Sequence, residues 1–370
     1  MTTESTTPEG VHVNPATAAG DVAELNALAD TLLATTGVRR NRELLREIVL
    51  STLALAREDS SRLDLKIARS AIVEMADAFR VFSRYRDVPK VTIFGSARAE
   101  PTHALYALTR DLARKIAQAG CMVVTGAGPG IMAAGSEGAG REHAIGVNIR
   151  LPFETEANTW IERGDKLVEM KYFFTRKLML MKESSGFLVL PGGFGTLDEA
   201  FELLTLIQTG KAEPAPIVLV DTPGDEYWIE WERFVSSQVY ARGFADVLDS
   251  ALYTITDQVD VAIEELLGFH RNYHSRRFVG DTMVLRLKRA PTDDELKVLS
   301  KAFADIVGAK GMWRTEPLPP ERAGHDHLEL ERIAMVFDQR HHGRLRQLID
   351  ALNELVDGPG EVVTAADRSV

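Results

Sequence analysis

The stretch Leu188-Val189-Leu190-Pro191-Gly192-Gly193-Phe194-Gly195-Thr196-Leu197-Asp198-Glu199 constrains this chain more than any other. The apolar run Phe187 to Leu190 predicts a buried strand, which Pro191 ends. A helix is expected from Thr196 to Gln208, with Thr196 as its cap or as a hydroxyl donor to a ligand. A strand, a glycine-rich turn and a helix N-terminus together offer backbone N–H groups and a positive dipole end to an anion. Gly192, Gly193 and Gly195 let the backbone approach a phosphate where a Cβ would intervene. Glu199 falls one turn further on, where a carboxylate would repel the phosphate, so it is expected to face another part of the ligand.

The rest of the chain is compatible with such a site. A net charge of −11 argues against a general nucleic-acid binder, which needs clustered Lys and Arg. The single cysteine, Cys121, excludes an intramolecular disulfide and a Cys-based zinc site, and its apolar neighbours predict a core thiol. No apolar run approaches the ~20 residues of a membrane span. The opening stretch lacks the apolar core of a signal peptide, so the expected location is cytoplasmic.

In chain order, residues 1–20 read as a disordered tail and 21–88 as a helical extension, a hairpin with Leu45, Val49, Leu53 and then Ile72, Met75, Phe79 at helical spacing. Residues 89–268 alternate strands and helices. Strands are expected at Val91–Phe94, Cys121–Val124, Ala144–Ile149, Leu167–Met170, Phe187–Leu190, Ile217–Val220 and around Leu252–Ile255. That alternation predicts an α/β fold, a doubly wound parallel, Rossmann-like sheet with glycine turns at strand C-termini. Residues 269–280 read as a linker, 281–357 as a small αβ sandwich of order β-α-β-β-α with a regulatory or oligomer-forming role, and 358–370 as a tail.

Three known phosphate or nucleophile motifs fail. Gly126-Ala127-Gly128-Pro129-Gly130-Ile131 has Ile at the sixth position of the dinucleotide fingerprint, and the next strand ends Asn148-Ile149-Arg150 without a ribose-binding acid. Gly210-Lys211 lacks the first glycine and the hydroxyl of an ATPase loop, and no G-x-S-x-G elbow occurs. Each remaining glycine turn taken alone is compatible with a plain tight turn. Two aimed at one crevice, Gly126–Gly130 and Pro191–Thr196, fit a mononucleotide better than an inorganic anion.

Tyr172-Phe173-Phe174-Thr175-Arg176-Lys177 opens the helix before the central strand and supplies candidate cations, against a reading as a solvated helix end. At this point the residues resemble a known family. Pro191-Gly192-Gly193-Phe194-Gly195-Thr196-Leu197-Asp198-Glu199 is similar to the PGGxGTxxE signature of the Lonely Guy (LOG) family, with Arg176-Lys177, Phe94-Gly95-Ser96 and Gly126–Gly130 as supporting elements. Those proteins are phosphoribohydrolases that release a free base and ribose 5-phosphate from nucleoside 5′-monophosphates, cytokinin ribotides among them. The resemblance covers about Lys90 to Leu267.

It implies Arg176 and Glu199 as the catalytic pair. It implies Gly95, Ser96, Arg98, Gly126, Gly128, Gly130, Lys177, Gly192, Gly193, Gly195 and Thr196 as substrate-binding residues, with no cofactor and no metal. An ionised Glu199 would stabilise positive charge on the ribose. The partners implied are a nucleoside 5′-monophosphate and further copies of the chain in a homodimer or larger homo-oligomer, with no nucleic-acid polymer and no membrane. Phe173-Phe174 stands where a Met-His pair is common, and long extensions flank the core, as in longer bacterial members. The label lysine decarboxylase, often carried by this family, asks for a cofactor such as pyridoxal phosphate with a Schiff-base lysine. No lysine in these turns is placed to supply that set.

Arg98 could reach a phosphate or make a surface ion pair, and Asp198 points away from Glu199 as a first-turn dipole partner. His325, His327, His341 and His342 lack helical ligand spacing and read as surface histidines. The competing functional class is a nucleotide or cofactor carrier on the same fold, which would bind without cleaving. Glu199 with Arg176 separates the two, since a pure phosphate-binder needs no acid beside the anion.

Overall fold

The computed structural model describes residues 15–37, 41–150, 157–161 and 165–356. The terminal stretches 1–14 and 357–370, and so most of the expected tails, lie outside them. The chain divides into two compact units, residues 1–72 and 73–370.

The first unit holds α1 (Pro15–Thr35), α2 (Arg42–Arg57) and the first part of α3 (Arg62–Phe82). Helix therefore begins at Pro15, inside the stretch expected to be a tail. Three helices stand where a hairpin was expected. Ser61 and Asp64 form a reciprocal capping pair: the Asp64 N–H donates to Ser61 Oγ at 3.2 Å and the Ser61 N–H to Asp64 Oδ2 at 3.1 Å.

The second unit is built on seven parallel strands. They are β1 (Lys90–Phe94), β2 (Met122–Thr125), β3 (Ala144–Ile149), β4 (Leu167–Met170), β5 (Gly186–Val189), β6 (Ile217–Val220) and β7 (Thr254–Thr256), in spatial order β4-β3-β2-β1-β5-β6-β7. Five helices complete this layer: α4 (Ala104–Gln118), α5 (Ile131–His143), α6 (Phe173–Lys182), α7 (Phe194–Gln208) and α8 (Tyr227–Phe234). A sixth, α9 (Val259–Gly268), follows β7. This is the expected Rossmann-like sheet. Its strands read as unbroken apolar runs because both faces are covered. Ile93, Val123, Leu188 and Val218 enter one buried cluster, while Phe94, Val124, Val189 and Leu219 enter the other.

Strands β2, β3 and β4 lie on one side of β1, and β5, β6 and β7 on the other. The strand order thus reverses between β1 and β5, and the crevice that such a reversal opens at the strand C-termini is where doubly wound sheets take ligands.

The stretch 269–280, expected as a linker, contains β8 (Tyr273–Val279) instead. It pairs antiparallel with β9 (Thr282–Leu287), and the second sheet has the order β10-β11-β9-β8, with β10 at Trp313–Arg314 and β11 at Glu331–Val336. Arginines and histidines hide this strand in the sequence, yet Tyr273, Ser275 and Arg276 are buried. Helices α10 (Asp293–Ala302) and α12 (His342–Asn353) cover one face, and the short α11 (Pro319–Gly324) follows β10.

This smaller layer grips the far end of α7. Arg276 donates from Nη2 to the carbonyls of Gly210 at 3.0 Å and Ala212 at 2.9 Å, and from Nε to Glu213 at 3.4 Å. A cation at a helix C-terminus also complements the dipole there. His342 is no surface histidine: it is buried, and a side chain at Gly210 would meet its ring at 2.6 Å.

Candidate functional site

Three glycine turns converge at the C-terminal ends of β1, β2 and β5. The Ser96 N–H donates to Pro191 O at 3.1 Å and the Ile131 N–H to Ser96 O at 2.9 Å, so the turn after β1 ties the other two together. Gly95 packs under Ile131, and Ser96 Oγ accepts the Arg98 N–H at 3.1 Å. These two residues therefore brace the crevice with their backbone. Gly130 has a φ of +66°, and a Cβ there would strike the Ser96 carbonyl at 2.3 Å. Only glycine satisfies both conditions.

In the turn after β2, Ala127 is a non-glycine residue with φ +60°, sandwiched between Gly126 and Gly128. Backbone strain of this kind persists only when neighbours hold it. Here the Asn158 N–H donates to Ala127 O at 2.8 Å and Asn158 Nδ2 to Gly128 O at 3.1 Å. Asn158 went unnoticed in the sequence because it lies in a loop with no motif around it.

The turn after β5 differs from the other two in one respect. A Cβ added at Gly193 or Gly195 meets nothing within 4 Å, whereas the other turn glycines of the crevice face protein. Gly193 is the N-cap of α7, so the N–H groups of Phe194, Gly195 and Thr196 have no partner within the helix. Thr196 is thus the third helical residue, and the expectation that it caps α7 is corrected. It is buried, with its hydroxyl folded against Gly192, where a Cβ would stand only 2.2 Å away.

Arg176 and Glu199 meet across this crevice. Arg176 is 7% exposed, and its Nε donates to the Val147 carbonyl on β3 at 2.9 Å. Its Nη2 reaches toward Gly126 O at 3.5 Å, and a Cβ on Gly126 would sit 2.0 Å from that nitrogen, so glycine is what admits the guanidinium. Nη1 lies 3.6 Å from Glu199 Oε1. Burial pushes the Glu199 carboxyl up to about 7, and the attraction of Arg176 and Lys177 only partly offsets it. A carboxyl raised this far gains and loses its proton near neutral pH, so both its ionised and its protonated form are accessible there. That is the range in which a carboxyl group exchanges protons most effectively.

Lys177 is drawn elsewhere. Its Nζ lies 2.7 Å from Asp198 Oδ2 and 2.6 Å from Glu202 Oε2. Burial alone would lower its ammonium, but the hydrogen bonds to those two carboxylates outweigh it and hold it above the ordinary lysine range. The pair clamps α6 to α7 and gives Asp198 a partner on another helix in place of the expected dipole role. Arg98 is exposed at the rim, and its side chain has no partner among the described residues.

The histidines singled out in the sequence have other tasks. His341 contacts Asp338 and lies 3.9 Å from Asp246, and His327 packs against the ring of His274.

Tyr227 was also missed. Its hydroxyl donates to the Gly192 carbonyl at 2.7 Å and so holds the open glycine turn from α8. Tyr227→Phe deletes that donor and should cost about 1 kcal/mol, a net hydrogen bond. Differential scanning calorimetry should find the melting temperature lowered by a few degrees. An unchanged value would mean that the bond adds nothing to stability.

A family model described as "Possible lysine decarboxylase" matches residues 130–266. A protein of Arabidopsis thaliana, named a probable cytokinin riboside 5′-monophosphate phosphoribohydrolase, is 32% identical over 169 residues, 44% of this chain and 80% of its own length. A cytokinin riboside 5′-monophosphate phosphoribohydrolase of Mycobacterium tuberculosis is 31% identical over 153 residues, 40% of this chain and 75% of its own. Among solved structures, a molybdenum cofactor binding protein of Rippkaea orientalis matches 48% of this chain and 94% of its own, with 20% identity and a TM-score of 0.35. With the signature at Pro191–Glu199 and relatives matched over three quarters or more of their length, the chain belongs to the LOG family of phosphoribohydrolases.

Proposed function

We propose that this protein hydrolyses the N-glycosidic bond of a nucleoside 5′-monophosphate, of AMP or cytokinin-ribotide type, to a free base and ribose 5-phosphate. The observation that carries the reading is the approach of Arg176 Nη1 to Glu199 Oε1, 3.6 Å apart beside the open turn at Gly193–Thr196.

The 5′-phosphate sits on the first-turn N–H groups of α7, where Gly193 and Gly195 leave space for it and Arg98 closes the rim. The contact is remote from the bond that breaks and serves to fix C1′. As the C1′–N bond lengthens, positive charge grows on the ribose. The ionised Glu199 carboxylate stabilises that charge and accepts a proton from the water that adds to C1′. The base departs with the bonding electrons and takes up a proton, and Arg176 lowers the cost of the negative charge it carries meanwhile. The same reading assigns the exposed Phe173, Phe174, Leu178, Phe194 and Phe201 on α6 and α7 to contacts in a homo-oligomer.

The test is incubation of the purified protein with a panel of nucleoside 5′-monophosphates and the matching nucleosides, with free base quantified. Base release from the phosphorylated forms alone is the expected result. Tight nucleotide binding without any base release would replace the hydrolase by a carrier.

A further inference from the structure

Helix α6 carries Arg176, yet its own sequence gives its N-terminus little support. Its N-cap is Tyr172, whose side chain makes no capping bond, and no acid occurs in its first turn. Arg176 and Lys177 so near the start oppose the helix dipole. Helices with these features fray unless something outside them supplies an acceptor and a negative charge.

Glu74 supplies both from the later part of α3. Glu74 as a residue is 7% exposed. Oε2 accepts a hydrogen bond from Thr175 Oγ1 at 2.7 Å and lies 3.4 Å from the Tyr172 N–H, which also points to it. Thr175 is fully buried, and the Arg176 N–H donates back to Tyr172 O at 3.3 Å, closing the first turn around these contacts. Burying a carboxylate is expensive unless it is hydrogen-bonded, and this one is spent on the two residues that flank the start of α6.

We infer that Glu74 is a positioning residue for Arg176: it caps α6 from a helix outside the parallel sheet and so fixes where the guanidinium stands relative to Glu199. The inference rests on the proposed role of Arg176 at the departing base. Glu74 itself touches neither substrate nor Glu199 in this scheme. Without it, the part-buried Tyr172 N–H loses its acceptor, the Thr175 hydroxyl is left with the Tyr172 carbonyl at 2.9 Å as its only acceptor, and the tie from α3 to the first turn is cut. The guanidinium then loses its register against Val147 and Glu199. A displacement of about 1 Å at a catalytic group costs up to ~10²-fold in rate.

The experiment compares Glu74→Ala and Glu74→Gln with the unmodified protein on the nucleotide cleaved best in the panel. Glu74→Ala should lower kcat by roughly 10- to 100-fold while KM and the binding of ribose 5-phosphate change by less than about threefold, because the cradle on α7 is untouched. Glu74→Gln keeps an acceptor oxygen and should restore kcat to within about threefold. Amide hydrogen exchange across 173–182 should quicken in the Ala variant only. An unchanged kcat in Glu74→Ala, or a loss shared equally by kcat and ribose 5-phosphate binding, would overturn the inference. If the unmodified protein releases no base at all, the proposed function fails. The exchange comparison then still decides whether Glu74 holds α6.

Discussion

Glu199→Gln releases free base with a kcat about 10²–10³-fold below that of the unmodified protein, and binds ribose 5-phosphate as before; this is the expected result of the proposed mechanism. Gln keeps the shape and hydrogen-bonding reach of the side chain but cannot balance positive charge on the ribose or take a proton from water. Arg176→Ala should lose a similar factor. The double variant should lose little more than either single one, because the two groups act on one transition state as a unit. Multiplying losses in the double variant would separate their roles.

The same residue fixes a pH dependence whose two halves run in opposite directions. With the carboxyl near 7, activity that depends on its ionised form rises with pH through neutrality, and Glu199→Gln abolishes that limb. For stability the sign is reversed. A raised carboxyl stabilises the fold below its unfolded value near 4.3, and the contribution is lost as pH rises through about 7. At pH 8 the ionised group costs the fold on the order of 4 kcal/mol at most. Glu199→Gln should therefore melt above the unmodified protein at pH 8, with the gap closing at pH 5. A lower melting temperature at pH 8 would instead make Glu199 a structural ion-pair partner of Arg176.

How far the sequence reached depends on the range of the interaction concerned. The strand–turn–helix at Phe187–Gln208 was legible because local rules govern it: an apolar run, Pro191, and glycines before an apolar helix. The seven parallel strands were legible for the same reason, since burial on both faces leaves near-continuous apolar runs. Strand β8 was not, because Arg276 and Arg277 gave it a polar look. Their partners, the Gly210 and Ala212 carbonyls for one and Asp326 for the other, lie far away in sequence. Lys177, expected among the substrate-binding residues, has Asp198 and Glu202 as partners on α7, a pairing no local pattern announces. Tyr227, Asn158 and Glu74 carry no motif. Each acts on a segment at least 30 residues away, where only the folded chain brings donor and acceptor together.

Glu321→Ala should remove about 3–5 kcal/mol of stability from the smaller sheet. Glu321 is fully buried between two buried arginines. Arg286 Nε donates to its Oε1 at 3.0 Å, Arg332 Nε lies 3.4 Å from the same oxygen, and the Leu318 N–H donates to Oε2 at 3.1 Å. Removing the carboxylate leaves two guanidinium groups in the interior with fewer countercharges. Asp326, 3.6 Å from Arg286 Nη2 and in contact with Arg277, offsets part of that and favours the lower end of the range.

Burial would raise the Glu321 carboxyl, yet the Leu318 N–H and the two arginines outweigh it and hold it below the usual carboxylate range. Its contribution is therefore present above pH ~4.3 and disappears as pH falls through the lowered value, so the penalty of Glu321→Ala should shrink in acid. Thermal and urea melts at pH 7 and pH 3 measure both effects. The double variant Glu321→Leu with Arg286→Met removes a charge pair together and leaves Arg332 on the carbonyls of Asp326, His327 and Leu330, so it should recover most of the loss. Recovery identifies the uncompensated guanidinium as the source of the destabilisation. A single variant as stable as the unmodified protein, or a double variant no better than the single one, would place the effect in packing around α11 instead.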